Sequence, residues 1–80
     1  MLIKIHGVSD CPACFKAQAM VMSAYPKYEY VYINLDFADS YREQLKNKFS
    51  YKSYPIITIV DKDGEKLIGG TEHLKSFMSD

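Results

Sequence analysis

Hydrophobic positions along the chain switch between a period of two and a period near four, and the switches mark out elements. Residues 2–6 alternate around β-branched residues and predict a first strand. Ser9-Asp10-Cys11-Pro12 is a turn. Cys14, Ala17, Val21 and Ala24 then recur at helical spacing, predicting a helix from Pro12 to about Ala24. Proline suits the first helical position, where its missing N–H would have no partner. Tyr25-Pro26 ends the helix, since a residue before proline is pushed out of the α region. Tyr28 to Leu35 predicts a second strand, with Tyr28, Tyr30 and Tyr32 sharing one face as sheet packing. Tyr41, Leu45 and Phe49 predict a second helix over 36–49. Ser40 with Glu43 fits a capping box there, with Asp36 and Asp39 as rival caps. Residues 56–60 form a third strand, and Asp61-Lys62-Asp63-Gly64 has hairpin-turn chemistry. Glu65 to Ile68 is a short fourth strand. Gly69-Gly70 breaks the chain, and Thr71 caps a final helix with Leu74, Phe77 and Met78 facing inward.

The predicted order is β-α-β-α-β-β-α, an α/β fold. A right-handed crossover makes the first two strands parallel, and the last two form an antiparallel hairpin. Helices then cover both faces of a four-stranded mixed sheet. Eighty residues fit one domain spanning 1–80. Ten basic and ten acidic residues cancel, which argues against the basic surface that nucleic-acid or membrane binding needs. The apolar runs are too short to span a bilayer, and the start of the chain lacks signal-peptide features. The expected compartment is a reducing cytoplasm, where a close cysteine pair is more often catalytic or metal-binding than structural.

Cys11-Pro12-Ala13-Cys14 stands between a predicted strand and a predicted helix, and that placement says more than the spacing does. Cys11 falls where unpaired backbone N–H groups and the positive end of the helix dipole converge, so its thiolate is favoured. Cys14 lies one turn deeper and stays a thiol until needed. In this reading Cys11 attacks a substrate disulfide and Cys14 resolves the mixed disulfide. Three other readings stay open. The cysteines are inert buried residues of a structural domain. They hold zinc, although only His6 and His73 could complete a single-chain site. Or they share a metal or iron–sulfur cluster between two chains.

Two further stretches accompany the cysteines: Ser53-Tyr54-Pro55 before a strand, and Gly69-Gly70-Thr71-Glu72-His73-Leu74 opening the last helix. With Cys11-Pro12-Ala13-Cys14 they make the chain resemble the glutaredoxins of the thioredoxin superfamily over nearly its whole length. The stretches are similar, in order, to that family's C-P-Y-C, T-V-P and G-G-x-D-[DQ]-L. The short chain is also similar to the small phage glutaredoxins that serve ribonucleotide reductase. The resemblance implies a thioredoxin fold and a dithiol oxidoreductase with catalytic Cys11 and Cys14. It implies a cis Pro55 that leaves the Tyr54 backbone free for a peptide. It places glutathione against Pro12, Ala13, Tyr54, Pro55, Gly70, Thr71 and Glu72. The helix start near Thr71 and Glu72 would take a glutathione carboxylate, and Glu72 its amine. No metal or permanently bound cofactor is implied; glutathione is the co-substrate. The implied partners are protein disulfides, ribonucleotide reductase and thioredoxin reductase, met by a monomer in the cytoplasm, the host's if the chain is phage-encoded.

The chain departs from that pattern at Val8, where the family carries Lys, and at Ala13, Ser53, Tyr54 and His73. Val8 and Ala13 favour a thioredoxin-like donor that does not use glutathione. Asp10 opposes a Cys11 thiolate by charge, and Lys16 offsets part of that. Lys52 stands where a family basic residue meets the glutathione glycine carboxylate. Tyr51 and Tyr54 are candidates for a substrate-facing aromatic surface, and His6 is read as structural.

Overall fold

Ile3, Ile5, Ile57 and Ile59 are buried on the two central strands and fix how the chain is layered. The computed structural model describes every residue except Tyr25, Lys52 and Asp80. The expectations on Tyr25 and Lys52 therefore lie outside the described residues. The elements run β1 (Leu2–Gly7), α1 (Pro12–Ser23), β2 (Glu29–Asn34), α2 (Asp39–Phe49), β3 (Ile56–Asp61), β4 (Gly64–Gly69) and α3 (Thr71–Ser79). The strands form one mixed sheet in the order β2-β1-β3-β4. β1 runs parallel to β2 and antiparallel to β3, and β3 pairs antiparallel with β4.

Two apolar clusters hold the sheet to its helices. The first joins the four isoleucines to Ala17 and Val21 of α1 and Leu74 of α3. Tyr28 is buried in it, and Tyr30 and Tyr32 pack against it, so the tyrosine-rich strand packs as sheet. The second joins Ile56 to Leu35 and to Leu45 of α2. Ile56 and Ile57 serve different clusters because successive strand residues point to opposite sides. Each fully buried Ile or Leu contributes roughly 1.5–3 kcal/mol relative to exposure. No helix among the described residues is long and apolar enough to cross a membrane.

Two caps differ from expectation. α2 starts at Asp39, three residues after the predicted start, because residues 35–38 fold as a turn. The Ala38 N–H donates to the Leu35 carbonyl at 3.2 Å. The Asp36 N–H donates to Asn34 Oδ1, and the Asp36 carboxylate accepts from the Ser9 N–H, each at 2.8 Å. Ala38 takes the cap position without a side-chain bond. Ser40 is already inside the helix, so the Ser40–Glu43 box does not form. Asp39 sits in the first turn, where an acid favours the dipole. At α3 the cap is Gly70, whose carbonyl accepts from the Leu74 N–H at 3.0 Å. The Thr71 hydroxyl donates elsewhere, as described below.

His6 is buried on β1. Its Nδ1 lies 2.9 Å from the Ile56 carbonyl. A carbonyl only accepts, so Nδ1 carries the proton and Nε2 accepts from the Tyr41 hydroxyl at 3.5 Å. Burial pushes the imidazole below its ordinary value, outweighing the Ile56 bond and the charge of Glu65; Lys4 adds to the fall. Because the folded value is depressed, the unfolded chain binds the proton first. Stability is therefore full above the unfolded histidine range, near 6.5, and declines as pH falls below it, by at most about 1.4 kcal/mol per pH unit. Thermal unfolding at pH 7.5, 6.5 and 5.5 should show this decline in wild type and a flatter profile in His6→Gln.

Candidate functional site

The cysteine pair sits where β1 hands over to α1. Asp10 takes the left-handed conformation (φ 56°), which short polar residues tolerate, and turns the chain into the helix. Cys11 is the N-cap, in extended conformation (φ −130°, ψ 93°), and Pro12 follows in the first turn. The Phe15 N–H donates to the Cys11 carbonyl at 3.1 Å. The Cys14 N–H donates to Cys11 Sγ at 3.2 Å. Sulfur thus takes the place that a Ser or Asp oxygen usually holds at a helix start. A negative sulfur here meets a donor and the positive end of the dipole.

Cys11 and Cys14 form a disulfide with their Cα atoms 5.2 Å apart. Their exposures differ sharply: Cys14 is 0% exposed and Cys11 is half-buried. Gly7 lies directly beneath. A Cβ there would meet the Tyr32 hydroxyl and come within 2.9 Å of Cys14 Sγ, so only glycine leaves room for the sulfur. The Tyr32 hydroxyl donates to the Val8 carbonyl at 3.1 Å, and its ring stacks on Phe15 of α1. Burial, then the charge of Asp36, raises the Tyr32 hydroxyl above its ordinary value, keeping it a donor. Hydrogen bonding by Ser9 holds the Asp36 carboxyl below its ordinary range. Asn34 Nδ2 also donates to Ser9 Oγ at 3.3 Å, so the residue two before Cys11 is held from β2 and its loop.

An open cleft of about 340 Å³ brings six of the candidate residues together: Ala13, Tyr54, Pro55, Gly70, Thr71 and Glu72. Lys16, Tyr51 and His73 complete its walls. Ala13, between the cysteines, lines it; the cysteines and Pro12 do not. The Tyr54–Pro55 peptide bond is cis. The Thr71 hydroxyl donates to the Ala13 carbonyl at 2.8 Å, which ties α3 to the cysteine turn. His73 takes an unexpected place. Its Nδ1 accepts from the Gly70 N–H at 3.2 Å, so a side chain already fills one donor of this helix start. Gly69 has φ 125°, and a Cβ there would lie 2.6 Å from the His73 ring. Both facts call for glycine at 69. Tyr51 meets His73 edge-on, with ring centroids 6.3 Å apart.

Two residues escaped the sequence reading. Arg42 Nε donates to the Tyr54 hydroxyl at 2.9 Å, and Lys46 lies 5.4 Å from the centre of the same ring. That bond raises the Arg42 guanidinium above its ordinary value. The signal available was their spacing of four, which puts both on one helix face. Among the described residues, no three His, Cys, Asp or Glu side chains gather as a metal site. No protein-family model matches the chain, and no curated protein matches it significantly.

Proposed function

We propose that the chain is a dithiol thiol–disulfide oxidoreductase of the glutaredoxin kind, built on a thioredoxin-like fold with helices on both faces of its sheet. One observation carries this reading: Cys11 caps α1 with its sulfur, receives the Cys14 N–H, and is bonded to a fully buried partner. The asymmetry supports Cys11 as the nucleophile and Cys14 as the resolving thiol. The reduced Cys11 thiolate attacks one sulfur of a substrate disulfide. A bond forms between Cys11 and that sulfur, the substrate S–S bond breaks, and the leaving thiolate takes a proton. Cys14 gives up its proton and attacks Cys11 Sγ. The Cys11–Cys14 bond forms, and the second substrate sulfur leaves. The substrate gains two electrons and the protein loses two. Two molecules of glutathione, or a dithiol reductase, restore the pair.

The cleft walls support a role in holding the substrate. Tyr54 and Pro55 offer backbone to an extended peptide, and the α3 start offers N–H groups of Thr71 and Glu72 to a glutathione carboxylate. The proposed partners are glutathione and protein disulfides, with ribonucleotide reductase among the candidate acceptors, in a reducing cytoplasm. A specific observation favours a second reading, a thioredoxin-like donor independent of glutathione: His73 already occupies the Gly70 N–H. An inter-subunit zinc or iron–sulfur site has no such support.

The test is turnover of a glutathione mixed disulfide and of a protein disulfide by wild type and Cys11→Ser. Both reactions should fall to background in the variant, and full activity there would overturn the proposal. Supplying either glutathione or thioredoxin reductase as sole reductant then separates the two readings, since the true reductant restores the pair faster.

A further inference from the structure

The outer side of Tyr54 carries positive charge that the dithiol chemistry does not use. Arg42 and Lys46, one turn apart on α2, both lie 5.4 Å from the Tyr54 ring centre. Neither lines the cleft, whereas Tyr54, which both approach, does. The nearest balancing acid is Asp39, 3.8 Å from Arg42 with its side chain 93% exposed, a pair that water largely screens. Lys46 has no ion pair among the described residues, nor does Lys16 on the cleft wall. Asp36 also reaches Arg42 by charge, and in the cleft lining itself Lys16 faces one acid, Glu72. Tyr54 is thus a cleft residue backed by two cations, in a chain whose net charge is zero.

Resting on the proposed dithiol activity, we infer that Arg42 and Lys46 select protein disulfides flanked by an acidic segment, which leaves the cleft across Tyr54 and lies along α2. Position argues for a protein rather than glutathione. A small ligand held in the cleft does not meet Arg42 or Lys46, which do not line it, whereas a chain leaving it past Tyr54 meets both cations. Charge argues for acid, because complementary charges raise encounter rates and discriminate against basic partners. A bound aromatic alone would gain little, since the cations already engage the ring.

The experiment uses the full chain and two peptide mixed disulfides identical except for three Glu or three Gln beside the cysteine, with glutathione mixed disulfide as a third substrate. The readout is the ratio of kcat/KM for the Glu peptide over the Gln peptide. For wild type at low salt the ratio should be about ten or more, shrinking toward one in 0.5 M salt as screening sets in. In R42Q/K46Q it should lie near one, while R42K, which keeps the charge but not the Nε donor, should keep most of the preference. Thermal unfolding checks that the variants are folded. A wild-type ratio near one, or an unchanged ratio in the folded double variant, would overturn the inference. So would an equal slowing of all three substrates, which would assign the pair to general cleft structure, or a slowing of glutathione alone, which would assign it to a glutathione site. Binding of the Glu and Gln peptides with serine in place of their cysteine to the oxidised chain, followed at Tyr54 by NMR, reads the same preference without turnover. If wild type bound the Glu peptide selectively but turned over no disulfide, the dithiol proposal would fail and the docking surface would stand.

Discussion

Cys14→Ser is expected to lower turnover of protein disulfides at least about a hundredfold and to leave a measurable rate on glutathione mixed disulfides. The first step needs only Cys11. In the variant its sulfur keeps the cap position and the backbone N–H of residue 14. The second step needs a thiol already placed against the Cys11 sulfur. Cys14 is 0% exposed, and its Cα lies 5.2 Å from that of Cys11. Well-oriented intramolecular partners act at effective concentrations on the order of 10⁵ M or more, which free glutathione at millimolar levels cannot approach. A bulky mixed disulfide with a protein shields the Cys11 sulfur from solvent and depends on the internal thiol. A mixed disulfide with glutathione stays open to a second glutathione. Mass spectrometry of the quenched reaction should find the variant trapped with the protein substrate on Cys11. Equal losses on both substrates, with no trapped adduct, would mean that Cys14 serves the first step instead.

The parts of this molecule that were readable in the chain are those where one residue type answers one local need. Alternating isoleucines in 2–6 and 56–60 mark strands that bury one side against α1 and α3. Pro12 after Cys11 marks a helix start, and the structure puts Cys11 at the cap. The errors fall where a distant partner wins. Asp36 has the chemistry of a cap, but Ser9, 27 residues earlier, takes its carboxylate, so α2 begins at Asp39 without a side-chain cap. Thr71 has the same chemistry, but its hydroxyl reaches the Ala13 carbonyl across 58 residues, and Gly70 caps α3. His73 read only as a departure from a pattern. That its ring closes over Gly69 and takes the Gly70 N–H follows from a glycine at φ 125°, which no local rule assigns. Local propensity places elements to within a few residues, while caps at a functional site are settled by tertiary contacts.

Leu74→Ala should cost about 2–5 kcal/mol, the usual range for emptying a buried leucine site, and lower the midpoint of thermal unfolding by roughly 10 °C or more. Leu74 is 0% exposed and is the one fully buried side chain of α3. A nine-residue helix is too short to persist alone, so docking through this residue decides whether it forms. Eighty residues bury a modest core, whose stability lies at the low end of the usual 5–15 kcal/mol, so the loss consumes much of the margin. The effect should reach the site in a defined order. α3 supplies the Thr71 bond to Ala13 and the Gly70 to His73 wall of the cleft, whereas the cap at Cys11 belongs to α1. At 15 °C, where most of the variant is still folded, Cys11 should react with a small neutral disulfide within about threefold of wild type. Turnover of cleft-bound glutathione or peptide disulfides should fall by about tenfold, because their wall has loosened. Lys75→Ala, one residue along on the exposed side, should change the midpoint by about 1–2 °C at most. If Leu74→Ala shifted it no more than Lys75→Ala, α3 would not depend on this contact, and the cleft wall would need another anchor.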